Sequence, residues 1–439
     1  MEKTRETLQV RNEAALLVNV TFPDSRVTAA DSLDELEALA RSAGAVITGR
    51  VVQNRRSPHP ASYIGHGKAL QIAQYVKQSG VDVVLFDNDL SPAQIRHLEE
   101  TVACKVLDRS ELILDIFASR AQTHEARLQV ELAQLEYTYP RLTRMWTHLD
   151  SVVGAASGAA GAVGGIGARG PGEKQLEIDR RLVKKRIGNL RNQIAQIDRR
   201  KERQVRSRRD HFTVCLVGYT NAGKSSLLNC LTGSDAYVED KLFATLDTKT
   251  ARWNLAGDLY VLLSDTVGFV RNLPHHLVAS FRATLEEAIH ADLLLHVVDV
   301  SSPHAELQFQ AAHAVLQEIG CDGKDILLVF NKLDKPGAPA QCDALLALYP
   351  QALAVSARTG AGLDRLIQAV THRVTGQILR LRVVCLAADG RIPSFLHAHG
   401  TVLAQTCADS TIIYDARLGR NQLPALHRLQ PLACDVLAP

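Results

Sequence analysis

The chain has 439 residues, 46% of them hydrophobic and 22% charged, with 50 Lys and Arg against 47 Asp and Glu for a formal net charge of +3. That length allows two to four domains with ample core. The near balance of charge excludes a general nucleic-acid glue, and the lack of any membrane-length apolar run excludes a helical membrane span.

Taken in chain order, the apolar runs Ala14–Val20, Ala45–Val52, Val81–Phe86 and Cys104–Leu107 predict strands, and helical patterns lie near Ser32–Ala43, Lys68–Gln78 and Ala93–Thr101. Strands alternating with helices imply a small parallel sheet, here an N-terminal α/β domain over residues 1–121. The period then changes. Leu128, Leu132, Leu135, Tyr139, Leu142, Trp146 and Leu149 step by three and four residues. A second series, Leu176, Val183, Ile187, Leu190, Ile194 and Ile197, misses one seam position at Arg180. The stretch from Gly154 to Gly172 between them is too rich in glycine to hold a helix. Two seams around a flexible loop predict an antiparallel helical hairpin over 122–209. Its second helix, from about Glu173 to Arg209, would run roughly 55 Å at 1.5 Å per residue. Basic residues crowd it, from Arg180, Arg181, Lys184, Lys185 and Arg186 through Arg191 to Arg209. Such a face suits either solvent or a phosphate backbone.

The most informative segment follows. Phe212–Val217 is an apolar strand, and Gly218, Tyr219, Thr220, Asn221, Ala222, Gly223, Lys224, Ser225 and Ser226 lead from it into a helical pattern. Strand, glycine-rich turn and helix start form the context in which Gly-x-x-x-x-Gly-Lys-Ser binds phosphate. Lys224 would reach the β- and γ-phosphates, and the Ser225 hydroxyl would ligate Mg²⁺. Val261–Asp265 is a strand ending in Asp265-Thr266-Val267-Gly268. Asp265 would hold the metal through water, and the Gly268 amide would meet the γ-phosphate. Ile326–Phe330 runs into Asn331-Lys332-Leu333-Asp334. A carboxylate accepts from guanine N1–H and N2–H₂ together, a donor pair adenine lacks, so this segment names the base. Ser356-Ala357-Arg358, one β-α unit further on, offers a backbone amide to guanine O6. The ordered set predicts GTP binding by a P-loop domain over 210–372, with a mostly parallel sheet and helices on both faces.

Magnesium needs a second hydroxyl from the loop before Asp265, where Thr245, Thr248 and Thr250 are available and spacing does not choose among them. Position 269 is Phe269, and an apolar ring cannot orient an attacking water, so slow hydrolysis without a partner is expected. Arg169, in the glycine loop, is either a finger toward the γ-phosphate or an anchor for the linker. Beyond Gln377, strand-like runs Leu379–Leu386 and Thr411–Tyr414 flank a helical stretch near Ile392–His399 and predict a small α+β domain over 373–439. The eight scattered cysteines show no metal-ligand spacing, and several read as buried reduced thiols. The start, Met1-Glu-Lys-Thr-Arg-Glu6, lacks the apolar core of a leader, so the cytosol is expected, with peripheral membrane contact left open.

Several segments together resemble the HflX family of GTPases. They are Tyr63-Ile-Gly-His-Gly-Lys68, Asp89-Leu-Ser-Pro92, Asp108-Arg109 with Leu112–Phe117, Arg120–Glu125, Leu128–Leu135, Gly164–Glu173 with Gln175–Glu177, Gly218–Ser226, Phe243–Asp247 and Asp265–Phe269. The resemblance covers roughly residues 10 to 375. It implies a Ras-like G domain behind an N-terminal domain and helical linker, with hydrolysis stimulated by the ribosome. It also implies binding to the large subunit and its RNA, and splitting or rescue of stalled ribosomes. It adds Phe243, Ala244, Thr245, Leu246 and Asp247 to the nucleotide contacts and selects Thr245 as the Mg²⁺ ligand, so that Lys224, Thr245 and Gly268 would carry hydrolysis. Asn221 is similar to the asparagine with which potassium-dependent GTPases hold a monovalent cation, which makes K⁺ a second candidate cofactor. A monomer is expected. Departures from the pattern are Thr248 in place of a proline, Ala168 and Lys174 in place of threonines, and the insertion Val152–Val163. A GTP-dependent assembly or scaffold factor, or an NTPase that remodels RNA with ATP or GTP, would share the same nucleotide motifs.

Overall fold

The computed structural model describes residues 10, 12–24, 27–145, 171–207, 212–234, 242–243, 248–255, 259–271, 282–376, 378–408 and 410–437. They form two compact units. One comprises the described residues up to 197 together with 242–243, 267–271 and 282–285, and the other comprises the remainder.

In the first unit, β1 (Ala14–Thr21), β2 (Val46–Asn54), β3 (Val83–Phe86) and β4 (Lys105–Asp108) make a four-stranded sheet in the order β2-β1-β3-β4. Every pairing is parallel. The core of β1 and all of β3 are buried, which is why they read as continuous apolar runs rather than alternating ones. Helices α1 (Ala29–Ala43), α2 (His66–Ser79), α3 (Pro92–Val102) and α4 (Arg109–Arg120) cover the sheet. Local chemistry sets their ends. The Asp31 amide donates to the Thr28 side chain, Ser91 and Asp108 each complete a capping box, and Gly44 closes α1 at φ 92°. Helix α4 was not among the predicted elements. Its apolar residues Leu112, Ile113, Ile116 and Phe117 are nearly all inside, so they lack the one-sided stripe that marks an amphipathic helix.

Two long helices follow: α5 (His124–Met145) and α6 (Pro171–Ser207), the latter 37 residues, of which those up to 197 belong to this unit. Leu128, Leu132, Ile187 and Leu190 form their shared core, with Leu135, Tyr139, Val183 and Ile194 against it. Arg180 lies 5.8 Å over the Tyr139 ring while the later Arg186 pairs with the earlier Glu131, so the helices run antiparallel. Arg180 thus fills its seam position with a cation over an aromatic face. Trp146, Leu149 and the loop from Gly154 to Gly170, including Arg169, lie outside the described residues.

The second unit is built on six strands: β5 (Thr213–Gly218), β6 (Lys249–Asn254), β7 (Tyr260–Asp265), β8 (Leu293–Asp299), β9 (Asp325–Asn331) and β10 (Leu353–Ala354). Their order is β10-β9-β8-β5-β7-β6, parallel throughout except for the antiparallel edge strand β6. The connecting helices are α7 (Lys224–Thr232), α8 (Arg282–His290), α9 (Ala305–Glu318), α10 (Ala338–Leu348) and α11 (Leu363–Gly376). One core joins Leu216, Leu227, Leu263, Leu295 and Val329 to Leu366 and Val370 of α11. The chain then forms β11 (Ile378–Leu386), α12 (Arg391–His399), β12 (Gly400–Ala408), β13 (Thr411–Gly419), α13 (Leu423–Arg428) and β14 (Ala433–Leu437). These strands pair antiparallel in the order β12-β13-β11-β14.

All eight cysteines are free. Cys215, Cys321, Cys342 and Cys385 are buried as expected, whereas Cys230 and Cys407 are exposed, because one lies on the outer side of α7 and the other on a sheet edge. No described helix is long and apolar enough to cross a membrane.

Candidate nucleotide site

Strand β5 delivers its C-terminal end into the turn that starts α7, at the carboxyl edge of the parallel sheet where α/β folds place ligands. Two glycines are dictated by space as well as by backbone angle. Gly218 has φ 142°, and a Cβ there would sit 2.2 Å from the Val297 carbonyl oxygen. Gly223 has φ 90°, and a Cβ there would sit 2.3 Å from Asn331 Nδ2. Asn221 also adopts a positive φ, 60°, and is exposed. Tyr219, Thr220 and Ala222 are buried, and the Thr220 hydroxyl has no hydrogen-bond partner.

Lys224 is 6% exposed, and its Nζ donates to the carbonyls of Gly218 at 3.2 Å and Tyr219 at 2.9 Å. Burial pulls its pKa down to about 8, with Asp265 acting in the opposite sense. The ammonium is therefore held inside the glycine-rich loop by that loop's own carbonyls. Ser225 follows, and its Oγ donates to Asp265 Oδ2 at 2.6 Å. A hydroxyl and a carboxylate lie side by side, and no cluster of three or more His, Cys, Asp or Glu exists among the described residues. This donor set fits Mg²⁺, which keeps water and phosphate oxygens in most of its shell, and not a metal held by protein ligands alone. Thr266 anchors the end of β7 by donating to the Leu216 carbonyl at 2.7 Å.

On the base side, Asp334 is exposed at the end of the loop after β9 and accepts from Ser356 Oγ at 2.6 Å. That hydrogen bond holds its carboxyl below the usual carboxylate range, so it is ionised and acceptor-only at neutral pH. Lys332, at φ 65°, pairs with Asp299 at 2.8 Å, and Leu333 packs into an apolar cluster with Phe330. Ser356 is buried, Ala357 half-buried and Arg358 exposed. Asn331 does something the sequence did not reveal. Its Nδ2 donates to the Ala222 carbonyl at 2.9 Å, and its Oδ1 accepts from the Ala357 amide at 3.0 Å. One buried side-chain amide thus braces the glycine-rich loop at Ala222 and the turn at Ala357 at once. Asp299 was also missed, although its place at the end of an apolar run was a signal. His296, buried in β8 and stacked on Phe309, has its pKa drawn down to about 3 by burial and is neutral.

Gly268 and its neighbours are described with the first unit, where Val267, Phe269 and Val270 are buried. Phe243 is buried there as well, with φ 57°. Ala244, Thr245, Leu246 and Asp247 lie outside the described residues.

Family models described as "GTP-binding GTPase N-terminal", "GTP-binding GTPase Middle Region" and "50S ribosome-binding GTPase" match residues 30–118, 120–208 and 213–332. The protein "GTPase HflX" of Escherichia coli (strain K12) is 44% identical over 385 residues, covering 87% of this chain and 88% of its own. The protein of the same name from Lacrimispora saccharolytica is 42% identical over 407 residues, covering 92% and 93%. A solved GTP-binding protein from the archaeon Sulfolobus solfataricus, in complex with GDP, aligns over 83% of this chain and 99% of its own at 24% identity, with a TM-score of 0.44.

Proposed function

Because the chain belongs to the HflX family of GTPases, we propose that it loads GTP with magnesium, docks on the large ribosomal subunit, and splits or rescues stalled ribosomes in a cycle that hydrolysis resets. The observation that carries the nucleotide half is the Asn331 brace, which ties the loop for phosphate to the loop for base so that one ligand must satisfy both. In this reading Lys224 binds the β- and γ-phosphates, Ser225 ligates the metal directly, and Asp265 orients a metal-bound water. Asp334 takes the two guanine donors, the Ala357–Arg358 turn meets O6, and Thr245 and Gly268 sense the γ-phosphate. The metal's own part is to neutralise charge that develops on the phosphate oxygens. Residues 1–121, 122–209, 210–372 and 373–439 serve as the domains of this machine, acting as a monomer in the cytosol.

The ribosomal half rests on two supports. The family model over residues 213–332 is that of 50S ribosome-binding GTPases. On α6, Arg181, Lys184, Lys185 and Arg199 are exposed, a density of positive charge along one helix that suits ribosomal RNA phosphates. Light scattering of assembled 70S particles decides the outcome. A GTP-dependent fall in scattering supports splitting, whereas binding with unchanged scattering replaces it with a scaffold or assembly role. Asn221 is the candidate ligand for potassium, and equal hydrolysis rates in potassium and sodium buffers would remove that cofactor.

A further inference from the structure

Within the first unit, α1 and α4 hold the described residues of the two segments that flank the γ-phosphate sensors. Arg271, three residues after Gly268, donates through Nε to Glu35 Oε2 at 2.6 Å and also through Nη2. The other oxygen of Glu35 accepts from Arg109 Nη2 at 2.7 Å, and Arg109 Nη1 donates to Asp87 Oδ1 at 2.6 Å. Asp87 Oδ2 in turn accepts from Asn19 at 3.0 Å and Ser32 at 2.5 Å. Two guanidiniums and two carboxylates therefore alternate in one chain of charge that is buried at Arg109 and Asp87 and half-buried at Glu35 and Arg271, with Arg109 only 2% exposed and Arg271 17%. One turn-pair further along α1, the Ser42 Oγ accepts from the Leu242 amide at 3.1 Å. Phe243, two residues before Thr245, meets the edge of Phe117 on α4 at 4.6 Å.

A guanidinium that places two N–H groups on one carboxylate oxygen fixes its own backbone more tightly than packing alone, and a charge chain largely shielded from water has one geometry in which every member is satisfied. The terminal link of this chain is the only one that belongs to the segment after Gly268. We propose that Glu35 is a positioning residue for GTP hydrolysis, acting through Arg271 to set the backbone that carries Gly268 before the transition state forms. Ser42 and Phe117 do the same for the stretch that leads to Thr245. The N-terminal domain thereby contributes to hydrolysis through the order it gives the segment after Gly268, because order supplied in advance is not charged against the reaction. This inference rests on the GTPase reading above.

The test uses the full-length protein in steady-state GTP hydrolysis, with GDP calorimetry and thermal melting alongside. Arg271→Ala leaves Glu35, Arg109 and Asp87 paired, so the melting temperature and the Kd for GDP, which lacks the γ-phosphate, stay near wild type. Its kcat falls about tenfold with KM for GTP within twofold, and Arg271→Lys recovers most of the loss. Glu35→Gln lowers kcat alone but adds nothing in the Arg271→Ala background, since the two act through one contact. Unchanged or increased kcat in Arg271→Ala, or losses that multiply in the double variant, overturns the proposal. A wild-type chain that neither binds GDP nor hydrolyses GTP defeats the GTPase reading itself, a distinct result.

Discussion

Replacing Gly223 with alanine should loosen nucleotide binding by about two to three orders of magnitude without unfolding the chain. The glycine sits at φ 90°, a region that costs an L-residue roughly 1–2 kcal/mol. The added methyl would also stand 2.3 Å from Asn331 Nδ2, closer than any carbon and nitrogen tolerate. Asn331 must then turn away, releasing its bonds to the Ala222 carbonyl and the Ala357 amide, each worth about 1 kcal/mol when buried. The sum is roughly 3–4 kcal/mol, and at 1.4 kcal/mol per decade this is about 10²–10³ in Kd. The loop escapes the strain by leaving the shape that cradles phosphate, so the cost falls on binding more than on the fold. Calorimetry with GDP and Mg²⁺ reads the affinity, and thermal melting shows that the fold persists. The cycle with Asn331→Ala isolates the clash: once the amide is gone, Gly223→Ala should add only the backbone cost, roughly tenfold. Binding by Gly223→Ala within threefold of wild type would refute the reasoning.

Protonation gives a second test. Lys224 titrates near 8 in the folded chain against an ordinary 10.5, so between these values the unfolded chain holds a proton the folded one has shed, and stability rises with pH across that window. Phosphate oxygens restore the charged form, so GDP binding at pH 9 should take up roughly 0.9 proton and at pH 6.5 almost none, measured in buffers of different ionisation heat. No uptake at pH 9 would contradict the buried ammonium. In the hairpin, Leu190 is fully buried, and Leu190→Ala should cost about 2–5 kcal/mol in denaturant unfolding while the GDP affinity is kept. Neutralising Arg181, Lys184 and Lys185 to glutamine should lower the salt slope of ribosome binding by about 2–3 and leave ribosome-free hydrolysis unchanged. A slope that does not move would take these residues out of the RNA contact.

What the sequence disclosed was whatever is written locally. The run from Gly218 to Ser225 needs only a strand before it and a helix after it, and both are legible from period and composition. The strands β1 to β4 and the helices between them were foreseen because each has one dominant pattern. Strand β12 was not foreseen, because its residues 403–407 are exposed on both sides of a sheet edge and show no alternation. Strand β14 is short and half-exposed, and β13 runs five residues past its apolar start, where Tyr414, Ala416 and Leu418 are buried in alternation with Asp415 and Arg417, a period-2 signal that the reading of apolar runs alone passed over. In the candidate site, the run Asn331–Asp334 was legible as a strand-to-loop motif, but the bond that ties Asn331 to Ala222 joins positions 109 apart. The pair of Glu35 and Arg271 spans 236 positions and has no local signature at all.

That separation has a consequence for how the polypeptide is made. Chains emerge from the exit tunnel N-terminus first, at roughly 5–20 residues per second. Glu35, Asp87 and Arg109 are out together early, whereas Arg271 follows Glu35 by 236 residues, or roughly 10–50 s. Helix α1 therefore spends that interval with one oxygen of Glu35 awaiting a guanidinium not yet synthesised, and the ion pair closes only when the residues after Gly268 have been translated.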